Sequence, residues 1–254
     1  MNFTRAIVKK PGKSYVNGLT TSHLGAPDFE LALKQHEAYI EALQKAGLTV
    51  TVLEADEEFP DSTFVEDTAV LTEKCAVITN PGADSRNGEI EAMKQVIPRF
   101  YDTIESIKSP GYLDGGDVMQ VDDHFYIGLS SRTNREGAQQ LKDILGKYGY
   151  GATIVPLQEF FHLKTGIAYL GNNTVVLAGE FIGSEDFKGF EQITVSKEDE
   201  YSANCIRIND FVIIPKGFEA TKQKIAAAGY SVIECDMSEF RKQDGGLSCL
   251  SLRF

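Results

Sequence analysis

The chain has 254 residues, 42% of them hydrophobic and 24% charged. That is enough for one large domain or two small ones, burying roughly 70–75% of the unfolded surface. No apolar run approaches the ~20 residues that cross a bilayer, and the opening residues lack a signal-peptide stretch, so no membrane partner and a cytoplasmic location are expected. A net charge of −12 repels phosphate backbones and disfavours nucleic acid; it suits a cationic small molecule, although solubility alone would also account for it.

Taken in order, the first segment is a short strand over Phe3-Thr4-Arg5-Ala6-Ile7-Val8. Phe29, Leu33, His36, Ile40 and Leu43 then recur at spacings of four and three, which places them on one helix face. Asp28 is suited to cap that helix and Gly47 to end it. Thr68–Leu71 and Cys75–Ile78 read as two strands around a polar turn. The pattern returns at Val118–Val121 and Phe125–Ile127, at 167–178 around Gly171-Asn172-Asn173, and at 205–215 around Asn209-Asp210. Asn, Asp and Gly at these turns tolerate hairpin geometry.

Helical stretches fall between the strand pairs. Thr133 and Glu136 have capping-box spacing, followed by Ala138, Leu141, Leu145 and Tyr148 on one face and Gly149 at the end. A further helix covers 220–228, closed by Gly229. The result is four internal units at intervals of roughly 40–50 residues, within the range of repeat architectures. A fifth forms if Leu250–Arg253 pairs with the N-terminal strand, hiding two sheet edges.

Four segments are chemically loaded, and they fall at matching points of the units. Phe59–Asp67 gathers Asp61, Glu66 and Asp67 before an apolar strand, although a solvated loop could look the same. Leu113-Asp114-Gly115-Gly116-Asp117 sets two acids around paired glycines, which permit a sharp turn or a close approach. His162 opens a unit where other units carry acids, whereas His36 lies on a helix stripe, His124 follows a hairpin turn and His23 sits in a loop. His162 is therefore the candidate for acid–base work. Asp244-Gly245-Gly246-Leu247-Ser248-Cys249 presents a thiol at a strand start. The four cysteines form no Cys-x-x-Cys pair, which argues against a zinc knuckle or a disulfide scaffold. No phosphate-binding glycine loop is present.

Together these segments resemble the dimethylarginine dimethylaminohydrolases of the guanidino-group-modifying (pentein) superfamily. The resemblance rests on Phe64-Val65-Glu66-Asp67, Leu113–Asp117, Ser131-Arg132-Thr133-Asn134, His162-Leu163-Lys164-Thr165, Ala203-Asn204-Cys205-Ile206 and Asp244–Cys249, in order along nearly the whole chain. It implies a five-bladed α/β propeller of ββαβ units, pseudo-fivefold, in a single catalytic domain over 1–254 closed by the terminal strands. It implies hydrolysis of asymmetric dimethylarginine and monomethylarginine to citrulline, with neither cofactor nor metal, and a homodimer is possible. By the same likeness Cys249 is the nucleophile, His162 the proton donor and Asp114 the carboxylate that orients it. Glu66 and Asp67 would hold the guanidinium, Asp61 and the backbone of Leu19 the α-amino group, and Arg86 and Arg132 the α-carboxylate. Gln243 would line the substrate wall, where relatives usually carry an aliphatic residue.

Elementary chemistry favours these roles. A guanidinium carbon is a poor electrophile, and a bidentate carboxylate grip localises the cation and fixes its plane. A cysteine is mostly thiol at neutral pH, and a bound cation beside it favours the thiolate. The competing readings are an arginine deiminase-type hydrolase, whose relatives generally carry an inserted helical module not visible between Leu71 and Asp114, and a non-catalytic binding propeller, which would have no use for the Cys–His–carboxylate set.

Overall fold

The computed structural model describes residues 2–254. The chain opens with β1 (Arg5–Lys9), α1 (Phe29–Lys45) and β2 (Thr49–Leu53). The second unit contains β3 (Ala69–Leu71), β4 (Ala76–Ile78), α2 (Ile90–Val96) and β5 (Ile104–Ser106). The third contains β6 (Val118–Val121), β7 (His124–Leu129), α3 (Arg135–Lys147) and β8 (Gly151–Pro156). The fourth has the single turn α4 (Leu163–Gly166), then β9 (Ile167–Gly171), β10 (Thr174–Leu177) and β11 (Glu191–Thr194). The fifth has β12 (Ile206–Ile208), β13 (Phe211–Pro215), α5 (Glu219–Ala227) and β14 (Ser231–Cys235); α6 (Ser238–Arg241) and β15 (Leu252–Arg253) follow. No described helix is long and apolar enough to cross a membrane.

The strands form five separate three-stranded sheets with one pattern: the first two strands are antiparallel and the third runs parallel to the second. In four sheets the strands follow chain order. In the remaining one β15 takes the first place, pairing antiparallel to β1 through Ala6↔Arg253 and Ile7↔Leu252, while β2 runs parallel on the other side. The expected pairing of the two ends of the sequence is thus present.

A short helical turn precedes the first strand of every sheet: Val65–Thr68, Gly115–Asp117, α4, Glu200–Ala203 and Ser248–Leu250. The turns touch in cyclic order. The 65–68 turn packs on both 248–250 and 115–117, and α4 packs on both 115–117 and 200–203. Asn204, just past the 200–203 turn, closes the circle with two hydrogen bonds to Ser248.

Three expectations change in detail. Helix α1 is capped by Asp28, which accepts from Leu31 N, and Gly47 follows with φ +100°. Of the predicted stripe His36 and Leu43 are buried and Phe29, Leu33 and Ile40 only half-buried, because the face is rotated to take in Ala32, Tyr39 and Ala42 as well. Tyr39 sets this rotation, because its hydroxyl reaches Leu247 O at 2.8 Å in the core. Helix α3 is capped by Asn134, which accepts from Gly137 N at 2.8 Å, and not by Thr133. The Thr133 hydroxyl is already committed to Asp117 at 2.7 Å and to Asp114 N at 3.2 Å. Finally, the fourth unit departs from the ββαβ pattern. Only the 3-10 turn Gly179–Phe181 lies between β10 and β11, and Phe181, Phe187 and Phe190 pack there as a small aromatic core.

Candidate active site

The 248–250 turn carries Cys249, the one cysteine among the described residues that is not fully buried. Its loop is pinned along its length. Tyr201 OH donates to Gly245 O at 2.7 Å, Tyr39 OH to Leu247 O, and Ser248 N donates to Asn204 Oδ1 at 3.0 Å. Gly246 N points at Cys249 Sγ at 3.4 Å. The glycine pair is needed for space: a Cβ at Gly245 would lie 2.3 Å from the Phe64 ring, and one at Gly246 2.4 Å from the Asn204 amide. Burial, then the carboxylates of Glu66 and Asp67, push the Cys249 thiol up to about 12, against the Gly246 N–H. The resting sulfur is therefore a neutral thiol.

His162 stands immediately before α4, and its Nε2 lies 3.2 Å from Asp114 Oδ2. One ligand-type atom each from Asp67, Asp114 and His162 lie within 4.8 Å of one another. Burial opposes the imidazolium, but Asp117, Asp67 and the Asp114 hydrogen bond outweigh it and raise His162 to about 9. At neutral pH the ring carries its proton and can deliver it. Such a cluster could attract a cation, yet Asp67 already binds Arg86 Nη1 at 2.6 Å and Gly116 N at 2.9 Å, so it reads as a charge-compensated acid–base group. Gly116 is also obligatory, since a Cβ there would sit 2.6 Å from His162 Nδ1.

The remaining expected residues divide into those facing this group and those behind it. Asp61 is buried and accepts from Leu19 N at 3.0 and 3.2 Å; burial holds its carboxyl above the usual range. Glu66 Oε1 accepts from Lys164 Nζ at 2.6 Å and Arg253 Nη2 at 3.1 Å, while its buried Oε2 has no partner. Arg132 is half-buried, its guanidinium 4.8 Å above the Phe161 ring and 4.0 Å from Asp114. Arg86 lies behind Asp67, with every nitrogen engaged: Nε and Nη2 on Glu89, Nη1 on Asp67, and Nη2 also on the carbonyls of Asp61 and Phe64. Gln243 donates from Nε2 to Tyr15 O at 3.2 Å and keeps a buried, unpartnered Oε1.

Sequence reasoning gave no role to several residues now seen in the site. Asp117 accepts from Ser130, Thr133 and Leu163 N and supports His162 electrostatically. Lys164 and Arg253 bind Glu66 Oε1 on the side facing a cavity of about 450 Å³ lined by the first strands. Asp117, Lys164 and Asn204 lay inside motifs already singled out, so their positions were visible. Arg253, on the short strand β15, offered no such signal.

A family model described as N,N dimethylarginine dimethylhydrolase, eukaryotic, matches residues 27–252. The chain belongs to the dimethylarginine dimethylaminohydrolase family. It is 51% identical over 253 residues to the N(G),N(G)-dimethylarginine dimethylaminohydrolase of Pseudomonas aeruginosa, covering 99% of this chain and 100% of that one. The structure of a C249S mutant of the Pseudomonas aeruginosa protein complexed with citrulline superposes with a TM-score of 0.99 at 50% identity, covering 100% of both chains. The crystal structure of a dimethylarginine dimethylaminohydrolase H162G adduct with S-methyl-L-thiocitrulline gives 0.98 at 51% identity, over 99% of this chain and 100% of that one.

Proposed function

We propose that this protein hydrolyses Nω-methylated arginines, asymmetric dimethylarginine and monomethylarginine, to citrulline and dimethylamine or methylamine. The observation that carries the reading is the shared acid turn: Glu66 and Asp67 oppose ionisation of Cys249, and Asp67 also supports the imidazolium of His162. A guanidinium seated against these carboxylates offsets the negative charge that, after burial, keeps the sulfur protonated, so the substrate itself helps activate the nucleophile. The citrulline complex and the thiocitrulline adduct of its relatives support the same product and the same covalent step.

In this mechanism the Cys249 thiol loses its proton to solvent as the guanidinium binds, and the thiolate adds to the guanidinium carbon. The bond from that carbon to the dimethylamino nitrogen breaks as His162 gives the nitrogen its proton, leaving a thiouronium on sulfur. Water then loses a proton to His162 and adds to the same carbon. The carbon–sulfur bond breaks with its electron pair going to sulfur, the new hydroxyl gives its proton to that sulfur as the carbonyl forms, and citrulline leaves with the thiol restored. Asp114 fixes the ring that moves both protons. Asp61 and the backbone of Leu19 take the α-amino group and Gln243 closes the wall. Arg132 takes the α-carboxylate; Arg86, expected to share it, has every nitrogen committed to Glu89, Asp67 and the carbonyls of Asp61 and Phe64 and instead stiffens the acids. We infer that the cyclic contacts of the five turns reflect a five-bladed α/β propeller, a single catalytic domain over 1–254 with the site at its centre.

The test is a product assay. Citrulline with dimethylamine from asymmetric dimethylarginine, lost in Cys249→Ser, is the expected result. Faster ammonia release from unmethylated arginine would assign a deiminase instead, and full activity in Cys249→Ser would overturn the covalent mechanism.

A further inference from the structure

Residues 157–161, between β8 and α4, belong to no strand or helix, yet they deliver His162 to the site. Three consecutive amides of this segment converge on one carboxylate. Gln158 N donates to Glu180 Oε2 at 2.8 Å, and Glu159 N and Phe160 N both donate to Glu180 Oε1 at 2.9 Å. Successive backbone N–H groups aimed at one point form an anion-holding nest, and charge-assisted bonds of this kind are stronger than neutral ones. The Phe160 ring is fixed as well, stacked on Phe181 at 5.3 Å and 14° and seated against Gly166 and Gly179. Just past His162, Leu163 N donates to Asp117 at 2.9 Å. The histidine is thus anchored on both sides by carboxylates drawn from two different units.

The residue between the nest and His162 is Phe161. Its ring lies 4.5 Å from the His162 ring and 4.8 Å from the Arg132 guanidinium, centroid to centroid and centroid to carbon. One loop conformation therefore sets both the proton donor and the proposed holder of the α-carboxylate.

We propose that Glu180 is a positioning residue for the reaction, holding the 158–161 loop so that Phe161 aligns His162 and Arg132; this rests on the roles proposed above for those two side chains. Glu180 reaches the site only through backbone amides, so its removal leaves the thiol and the Glu66–Asp67 turn in place. Two readouts separate the halves of the site. Turnover of asymmetric dimethylarginine requires His162 and Arg132. Alkylation of Cys249 by chloroacetamidine requires only the sulfur and the acids that hold an amidinium, since chloride departs without a proton.

The experiment compares both rates in the parent, Glu180→Ala, Glu180→Gln and His162→Gly. In Glu180→Ala, kcat/KM falls by roughly 10- to 100-fold, the scale of a misplaced catalytic group, while the alkylation rate is unchanged. Glu180→Gln, which keeps one acceptor oxygen but turns an amide toward the nest, falls between. Parent-like turnover in Glu180→Ala overturns the proposal, and so does a matched fall in turnover and alkylation, which would mean general loss of structure. Parent-like turnover in His162→Gly would instead sink the reading of the site itself, whatever Glu180 does.

Discussion

The free enzyme keeps both Cys249 and His162 protonated at neutral pH, for different reasons. Burial and two acids hold the thiol protonated, up to about 12, whereas Asp117, Asp67 and Asp114 overcome burial and hold the imidazole protonated, up to about 9. Reaction with neutral iodoacetamide is therefore expected to be slow at pH 7 and to keep rising with pH beyond 10. Chloroacetamidine, whose positive charge stands in for the guanidinium, should label the same sulfur fast at pH 7; mass spectrometry of the Cys249 peptide follows both. Parallel pH profiles for the two reagents would rule out activation by the bound cation. His36 behaves oppositely. Buried with its Nε2 unpartnered, it is lowered from 6.5 to about 4 by burial and by Lys10. A base with a depressed folded pKa contributes stability that is present above the unfolded value and lost as pH falls toward the folded one. Between pH 6.5 and 4 this amounts to about 3 kcal/mol. Thermal melts should show His36→Leu losing less stability than the parent over that window, with little difference in pH dependence above pH 7. His36 was readable as a core histidine from its place on the helix stripe. The anchoring of His162 by Asp117 was not, because it depends on Ser130 and Thr133 meeting Asp117 across a loop.

Periodicity located α1, α3 and α5 to within about two residues, the usual uncertainty of helix ends, but could not say which polar residue does the capping. Thr133 and Glu136 satisfy the capping-box spacing, yet Asn134 Oδ1 accepts from both Gly137 N and Tyr112 N and starts α3. Asn134→Ala is accordingly expected to cost about 1 kcal/mol in urea unfolding with catalysis retained. Thr133→Val should instead lower turnover, because its hydroxyl ties Asp117 and the Asp114 amide beneath His162. If the two variants exchange these phenotypes, the assignment of the cap is wrong. Two elements escaped sequence reading for physical reasons. Helix α2, at 7 residues, is too short for a stripe to stand out. The fourth unit carries glycines at 179, 183 and 189 where the others carry a helix, and its apolar content is spent on phenylalanines packed within a loop.

Across the whole molecule the repeat was legible because four of the five units open with a chemically loaded segment and three of the four hairpins carry Asn or Asp at the tip. Nothing in the order of residues indicated that the five turns touch in a cycle, since contacts such as Asn204 to Ser248 depend on how the sheets are arranged in space. Strand β15 is a small element with a large share in that arrangement. Leu252 is buried, Arg253 binds Glu66, and the Phe254 backbone exchanges hydrogen bonds with Thr4 and Arg5. Its ring also packs on Phe100 and Tyr101. Removing residues 252–254 is therefore expected to abolish the cooperative thermal transition, beyond the loss of a single core side chain. A truncated chain that melts like the parent would show that the first sheet does not need its third member.

Among the described residues, the sheet shared by β15 and β1 is the one whose antiparallel pair is not joined by a hairpin, although its two strands stand in the same relation as the other four pairs. A few residues of linker bridging Phe254 and Asn2 would supply the missing hairpin and turn the polypeptide into a circle. The exposed bend near Gly183 has open space around it and could then be cut to give new ends. In that circularly permuted chain the nucleophile, now close to the last residue, would lie in the interior of the sequence with its neighbours in space unchanged.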